Sequence, residues 1–236
     1  MTKNIWIGIE RSADAAMGWR FDGAKVLQTA TGPTPANVVA QLGDGPALII
    51  GDGHSLQQVP APVLPENLPL SGLSQEKPRG ALCAAARLRI GGALADRKNW
   101  DGVICLPMPD ATHWCQISAD EVVSFQSSLT PVLARSLDAS DHADPEAVAD
   151  TMSHPERLSV HLRSASLMQA PDTVTGHLLG AELGAMRPYW LGQQVIVIAQ
   201  NRLYSSVLEQ QGVPVDHLHP QDCAQKGLFA LWTKTR

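Results

Sequence analysis

Ile5-Trp6-Ile7-Gly8-Ile9-Glu10, the turn Arg11-Ser12-Ala13-Asp14, the run from Ala15 to Phe21, Asp22-Gly23 and Ala24-Lys25-Val26-Leu27-Gln28 form the segment on which the fold turns. The first run is apolar at consecutive positions, as in a strand buried on both faces. Ser12 and Asp14 read as ordinary turn chemistry, with anion or metal binding as the functional alternative. Asp-Gly between two strand-like runs signals a type I′ hairpin, because both central residues of that turn need φ > 0. The opening therefore predicts strand, turn, strand, hairpin, strand. That is an antiparallel meander and not a strand–helix–strand start.

Working outward, Pro35 to Leu42 predicts a short helix and Ala47-Leu48-Ile49-Ile50 a buried strand. Pro60, Pro62, Pro65, Pro69 and Pro78 exclude regular helix from residues 59–78, which read as an irregular loop. Residues 81–94 predict a helix and Val103-Ile104-Cys105-Leu106 a second buried strand. A second hairpin is expected at Ser118-Ala119-Asp120. A domain boundary is placed near residue 100, where one set of elements closes and a similar one begins, giving an N-terminal lobe 1–100 and a C-terminal lobe 101–236. Beyond it, helix is expected over 128–138, 145–169 and Val174 to Met186, the last capped by Asp172-Thr173 and ended by Pro188. Gly176, Gly180 and Gly184 stand at i, i+4 and i+8 of that helix. Each costs about 1 kcal/mol relative to Ala, which is bearable where another backbone must come close. Val195 to Ala199 reads as buried strand, Ser205 to Gln211 as a helix closed by Gly212, Val213 to Leu218 as strand and Gln221 to Thr233 as the last helix. The sum is an α/β protein with mixed sheets in two lobes.

The chain has 236 residues, 44% hydrophobic and 17% charged, with formal net charge −5. Apolar content with low net charge excludes wholesale disorder. Weak acidity argues against a nucleic-acid partner, which would call for a basic face. No run reaches the ~20 apolar residues that span a bilayer, and the N-terminus shows no secretory pattern, so the expected location is cytoplasmic. Cys83, Cys105, Cys115 and Cys223 have neither zinc nor disulfide spacing and read as reduced thiols. Cys83 and Cys105, in apolar runs, read as buried and inert.

Phosphate-binding loops need glycines and hydroxyls just after strands, so that backbone N–H groups can reach phosphate oxygens. The strand ends at Glu10–Asp14, Pro107–His113 and Ala199–Leu203 contain no glycine, no Walker pattern and no G-x-G-x-x-G.

Thr175-Gly176-His177-Leu178-Leu179-Gly180-Ala181-Glu182-Leu183-Gly184-Ala185-Met186-Arg187-Pro188-Tyr189 nevertheless resembles the S-G-L-L-I-G-A-E-V-x-x-M-R-x-Y helix of the 2-dehydro-3-deoxygalactonokinase family. These are sugar-acid kinases of the actin–hexokinase superfamily. Ile7 to Asp14 sits where that family has I-D-W-G-[ST]-T-N, and Leu106 to Trp114 near its P-G-T-H-x-K-W hairpin. Phe125 to Thr130 resembles F-x-T-x-M-T, and Leu158 to Ala165 resembles L-F-x-V-R-A with Arg163 on the arginine. The resemblance implies a two-lobed actin/hexokinase-like (ribonuclease H-like) fold, with ATP and Mg²⁺ as cofactors if active and a 2-dehydro-3-deoxy sugar acid as substrate. It implies Glu10 as the catalytic, metal-side carboxylate and Ser12, Thr112 and Asn201 as residual phosphate contacts. Arg163 and Glu182 are the expected substrate contacts. A homo-oligomer is compatible with it.

The departures are many. Glu10 is followed by Arg11, Ser12 and Ala13 where the family has glycine and hydroxyls. P-G-T-H becomes Met108-Pro109-Asp110-Ala111, and Pro109 has no N–H to donate. A-G-T becomes Ala199-Gln200-Asn201. R-G-E-E-T-Q falls around Ala81 to Leu88 with both acids replaced by alanine, and M-T-G-E-L becomes Leu129-Thr130-Pro131-Val132-Leu133. The expectation is a kinase relative with weakened or absent activity; the alternative is a non-catalytic relative that binds a small sugar acid or a protein partner. Among other residues, His113 is expected on a hairpin surface, with general base as the functional alternative. His217 and His219 read as surface histidines and not as a metal pair. No G-x-S-x-G elbow supports a serine hydrolase.

Overall fold

The computed structural model describes residues 4–12, 15–51 and 55–235. The expectation for Asp14 therefore lies outside the described residues. Of these, residues 4–12, 15–51, 55–100, 118–124 and 218–235 form one compact unit, and 101–117 and 125–217 a second.

In the first unit, β1 (Ile5–Arg11), β2 (Ala16–Asp22) and β3 (Lys25–Gly32) form the expected antiparallel meander. Helix α1 (Pro35–Leu42) follows, and β4 (Ala47–Ile50) returns parallel to β1, giving the order β3-β2-β1-β4. Thr34 caps α1 by accepting from the Asn37 N–H. The first hairpin differs in turn type. Asp22 is the last residue of β2 and its Oδ1 accepts from the Asn4 N–H, 3.0 Å away. The two-residue loop is Gly23-Ala24, and only Gly23 has positive φ, which fits the φ requirement of a type II′ turn and not I′.

The proline-rich stretch is helix-free but not wholly irregular. It carries β5 (Leu56–Gln58), β6 (Ala61–Pro62), β7 (Gly72–Gln75) and β8 (Gly80–Leu82), with β7 between β5 and β8 in a small sheet. Strand β8 takes the first residues expected in the next helix, so α2 spans Ala84–Leu94. Cys83, at the junction, is exposed, and its Sγ accepts from the Ala86 N–H; the buried reading holds for Cys105 and not for Cys83. Arg87 of α2 explains how a loop so rich in proline is held. Its side chain is fully buried and donates to the carbonyls of Pro62, Val63 and Ser71, to the Ser71 hydroxyl and to Gln57 Oε1.

The C-terminal helix, Pro220–Lys234, completes the core of this unit. Trp6 stacks on Phe21 at 4.1 Å between centroids and on Trp232 at 4.5 Å, both nearly parallel. Gly92 of α2 and Gly227 of the C-terminal helix let the two backbones meet. A Cβ at Gly92 would lie 1.7 Å from the Cys223 carbonyl oxygen, and one at Gly227 2.3 Å from that of Leu88.

The second unit repeats the pattern. Strands β9 (Gly102–Pro107), β10 (Thr112–Ser118) and β11 (Glu121–Ser128) run up and down, with Ser118–Ser124 at the tip of the second hairpin counted in the first unit. The loop Ala119-Asp120 has both residues at positive φ, so the I′ turn occurs here, without glycine. Helices α3 (Thr130–Ser136), α4 (Pro145–Ser153), α5 (Leu158–Leu167), α6 (Pro171–Ala185) and α7 (Arg187–Trp190) follow. Then come β12 (Val195–Ile198), parallel to β9, α8 (Leu203–Gln210) and β13 (Val215–Leu218).

Helix α6 starts earlier than expected, at Pro171, so Asp172 and Thr173 are inside it and not its cap. Their side chains bond outward instead, to Ser140 and Asp144. The helix ends before Pro188, which lies within α7. Its glycine stripe does what such a stripe can do. A Cβ at Gly176 would be 2.6 Å from the Asp144 oxygen and one at Gly180 2.5 Å from that of Val148, because α4 packs directly on the stripe.

Candidate functional site

Glu10 lies at the carboxyl end of β1, beside Met17 of β2 and Ile50 of β4. Only 8% of it is exposed. Burial raises its pKa, and the charge and hydrogen bond of Arg89, on α2, act in the opposite direction. The Arg89 Nη2 donates to Glu10 Oε1 in an ion pair. Next along the chain, Ser12 is exposed; its N–H and hydroxyl both donate to the Ala15 carbonyl, at 2.8 and 3.0 Å, closing the turn between β1 and β2. Gly51, just past β4, packs so closely on this turn that a Cβ would sit 2.4 Å from the Arg11 oxygen.

In the second unit the structure brings Thr112 and Glu182 together. Glu182 of α6 is 4% exposed and receives Trp114 Nε1–H at 2.7 Å and the Tyr204 hydroxyl at 3.0 Å. Thr130 and Ser128 also hydrogen-bond to it. The Tyr204 hydroxyl lies 2.7 Å from Thr112 Oγ1, and Thr112 is fully buried. Burial raises the pKa of Glu182, and the four hydrogen-bond donors oppose that. Burial, reinforced by the Glu182 charge, lifts the Tyr204 phenol well above its ordinary value. The network ties β10, α6 and α8 together and satisfies its own polar atoms. Its members hold one another in place, and Thr112 presents no hydroxyl to solvent.

The remaining expected residues lie apart from this network. Asn201 is exposed just before α8, and its Oδ1 accepts from the Leu203 N–H at 3.2 Å. Arg163 is exposed on α5. His113 corrects the surface reading: it is 3% exposed on β10, with Nδ1 2.8 Å from Ser127 Oγ. Four positions of β10 in succession, Thr112 to Cys115, are buried, so no alternation places His113 outward. Burial lowers its pKa, with the Asp110 charge opposing. His217 Nδ1 lies 2.8 Å from Ser205 Oγ, and His219 caps the C-terminal helix.

Arg89, Tyr204, Ser128 and Thr130 were not among the residues expected at a site. Arg87 and Arg89 carried a readable signal, since two arginines inside the otherwise apolar helix Ala84–Leu94 must find buried partners. Tyr204 carried none, because its partners come from β10 and α6.

A divalent ion does not suit these residues. The Glu10 carboxylate that would face it already holds a guanidinium, and among the described residues no group of three His, Cys, Asp or Glu side chains is placed to bind a metal. No described helix is long and apolar enough to cross a membrane.

The sequence model of the 2-keto-3-deoxy-galactonokinase family matches residues 65–231, more than half of the chain. No curated protein matches the chain by sequence. Among solved structures, a protein from Sinorhizobium meliloti provisionally assigned as a 2-dehydro-3-deoxygalactonokinase superposes with TM-score 0.78 at 17% identity, over 96% of this chain and 97% of that one. The activator of 2-hydroxyisocaproyl-CoA dehydratase from Clostridium difficile, solved with bound ADPNP, superposes with TM-score 0.53 at 8% identity, over 97% and 94%. Component A of (R)-2-hydroxyglutaryl-CoA dehydratase from Acidaminococcus fermentans gives 0.52 at 10%, over 98% of both chains. These likenesses establish the fold as mixed α/β of the actin/hexokinase-like type.

Proposed function

This chain belongs to the 2-keto-3-deoxy-galactonokinase family, and from that premise we propose that it is a sugar-acid kinase relative in which phosphoryl transfer is weakened or lost. The reaction inherited by such a relative moves the γ-phosphoryl of ATP to the primary hydroxyl of a 2-dehydro-3-deoxy sugar acid. Its catalysis is mostly positioning and charge neutralisation. The observation that carries the reading is the Glu10–Arg89 pair. The carboxylate expected to serve the metal side is committed to a protein cation.

The other expected contacts fit the same reading. Ser12 and Asn201 are exposed and remain the candidates for phosphate contact, whereas Thr112 is enclosed with Tyr204. Arg163 is the exposed guanidinium available to a sugar-acid carboxylate. Glu182 is a positioning residue, since its oxygens already accept from Trp114 and Tyr204. Losing one preorganised donor typically lowers a rate ~10²–10³-fold; here several loop glycines that would let backbone N–H groups come close are replaced together, and Pro109 has no N–H at all. The alternative within this reading, a non-catalytic protein that still binds a sugar acid, draws on the exposure of Arg163.

Incubation with MgATP and 2-dehydro-3-deoxygalactonate, following ADP release, tests the proposal. Turnover in the ordinary kinase range of ~1–100 s⁻¹, abolished by Glu10→Ala, would overturn it. A thermal shift with MgATP asks separately whether nucleotide is bound without chemistry.

A further inference from the structure

We propose that Arg89 is a built-in cation that takes the place of a divalent metal ion opposite Glu10, so that this edge of the first unit binds no metal and a phosphate ligand there gains nothing from Mg²⁺. The inference rests on the reading above in one respect, that Glu10 is the site's carboxylate.

Three observations support it. The first is position. Strands β1 and β4 are parallel neighbours, and Glu10 pairs with Ile50 at their carboxyl ends. Ligands of open α/β sheets bind outside the carboxyl ends of the strands, so a carboxylate here faces the edge where a ligand arrives. The second is burial. Glu10 is almost enclosed, and a buried carboxylate needs a counter-charge. A metal ion could supply that charge, but the guanidinium of Arg89 does so from within the same unit.

The third is the contrast with Arg87, two residues earlier on α2. Arg87 is satisfied by neutral groups throughout: three carbonyls, the Ser71 hydroxyl and the Gln57 amide oxygen. Burial brings its pKa down to about 10. That arginine organises the loop. Arg89 instead meets a carboxylate, and the pairing is electrostatic as well as structural. A guanidinium differs from a metal ion in ways that matter here. It is permanently charged, fixed to the chain by its stem and aimed by a rigid fork. It cannot be chelated away, and its charge repels a second cation from the same oxygens. Arg11 adds another cationic side chain at the end of β1.

Mn²⁺ titrated into the full chain, with free ion followed by electron paramagnetic resonance, tests the inference without nucleotide or turnover. The wild type should show no saturable binding at Glu10. R89Q, which removes the charge and keeps a polar stem, should acquire saturable Mn²⁺ binding, and E10Q/R89Q should lose it again. Melting curves establish that each variant is folded. Where R89Q does not fold, R89K keeps the charge and should remain free of Mn²⁺. One Mn²⁺ bound by the wild type and lost in E10Q overturns the inference, as does a folded R89Q that gains nothing. Brisk MgATP turnover without Mn²⁺ at Glu10 would sink the proposed loss of activity and leave this inference standing. Mn²⁺ held by Glu10 in a protein of negligible turnover would do the reverse.

Discussion

Replacing Glu182 by alanine separates a positioning carboxylate from an incidental one. The substitution strands the Trp114 indole N–H, which donates to Glu182 at 2.7 Å in a fully buried setting. An unsatisfied buried donor costs about 1–3 kcal/mol. The hydroxyls fare better, because Tyr204 and Thr112 already lie 2.7 Å apart and Ser128 and Thr130 2.6 Å apart, so each pair keeps one hydrogen bond although one of its O–H groups loses its acceptor. Removing the carboxylate also relieves its own burial. The expected net loss is about 2 kcal/mol, concentrated on the indole. A double-mutant cycle with Trp114→Phe isolates that interaction, because phenylalanine has no N–H to strand. Urea denaturation of the four proteins should give a coupling of about 1.5 kcal/mol or more, as for a hydrogen bond to a charged group. Additivity within about 0.5 kcal/mol, the figure for independent sites, would refute the network.

Glu182→Gln supplies a pH test. Burial is the largest influence on Glu182 and raises its pKa above the ordinary carboxylate value. The fold therefore binds the proton more tightly than the unfolded chain does. The resulting stabilisation is complete below the unfolded value, is lost as pH rises through the raised folded value and is absent above it. The wild type should gain on E182Q as pH falls through that window, and a constant difference would contradict the direction of the shift.

Three other outcomes follow from packing and exposure. Gly180→Ala should destabilise by about 1–3 kcal/mol by overpacking against α4, whereas Gly184→Ala, whose nearest neighbour is a backbone oxygen 3.3 Å away, should cost less; equal melting temperatures would remove the close-approach argument. Arg87→Met should cost about 3 kcal/mol or more, since it leaves buried carbonyls without donors, and should open residues 59–78 to limited proteolysis before the rest of the unit. An Ellman titration of the native protein should find one fast thiol, Cys83, with Cys105, Cys115 and Cys223 reacting only on unfolding; burial also raises the pKa of these three, that of Cys223 to about 11.

Much of the architecture was legible because it depends on local chemistry. Consecutive apolar residues and turn residues place β1 to β3, and α1 runs from Pro35 to Leu42 as its residues predict. The glycine stripe of α6 announces a close neighbour, although nothing local names α4 as that neighbour. The failures are tertiary. The turn at Gly23 changed type because Asp22 was drawn into β2 by pairing with Lys25. His113 went inward because β10 is covered on both faces. The same cause hid most of the site. Glu10 stands where the family resemblance implies a metal-side carboxylate, but its partner is 79 residues away on α2, and no pattern around Glu10 announces Arg89.

The C-terminal helix has a consequence for biosynthesis. Leu228, Leu231 and Trp232 belong to the same core cluster as Trp6 and Phe21. The apolar face of β1 and β2 thus stays uncovered until this helix, far later in the chain, has been synthesised. A nascent chain that has not yet made that helix would present an adhesive sheet, a natural client for chaperones.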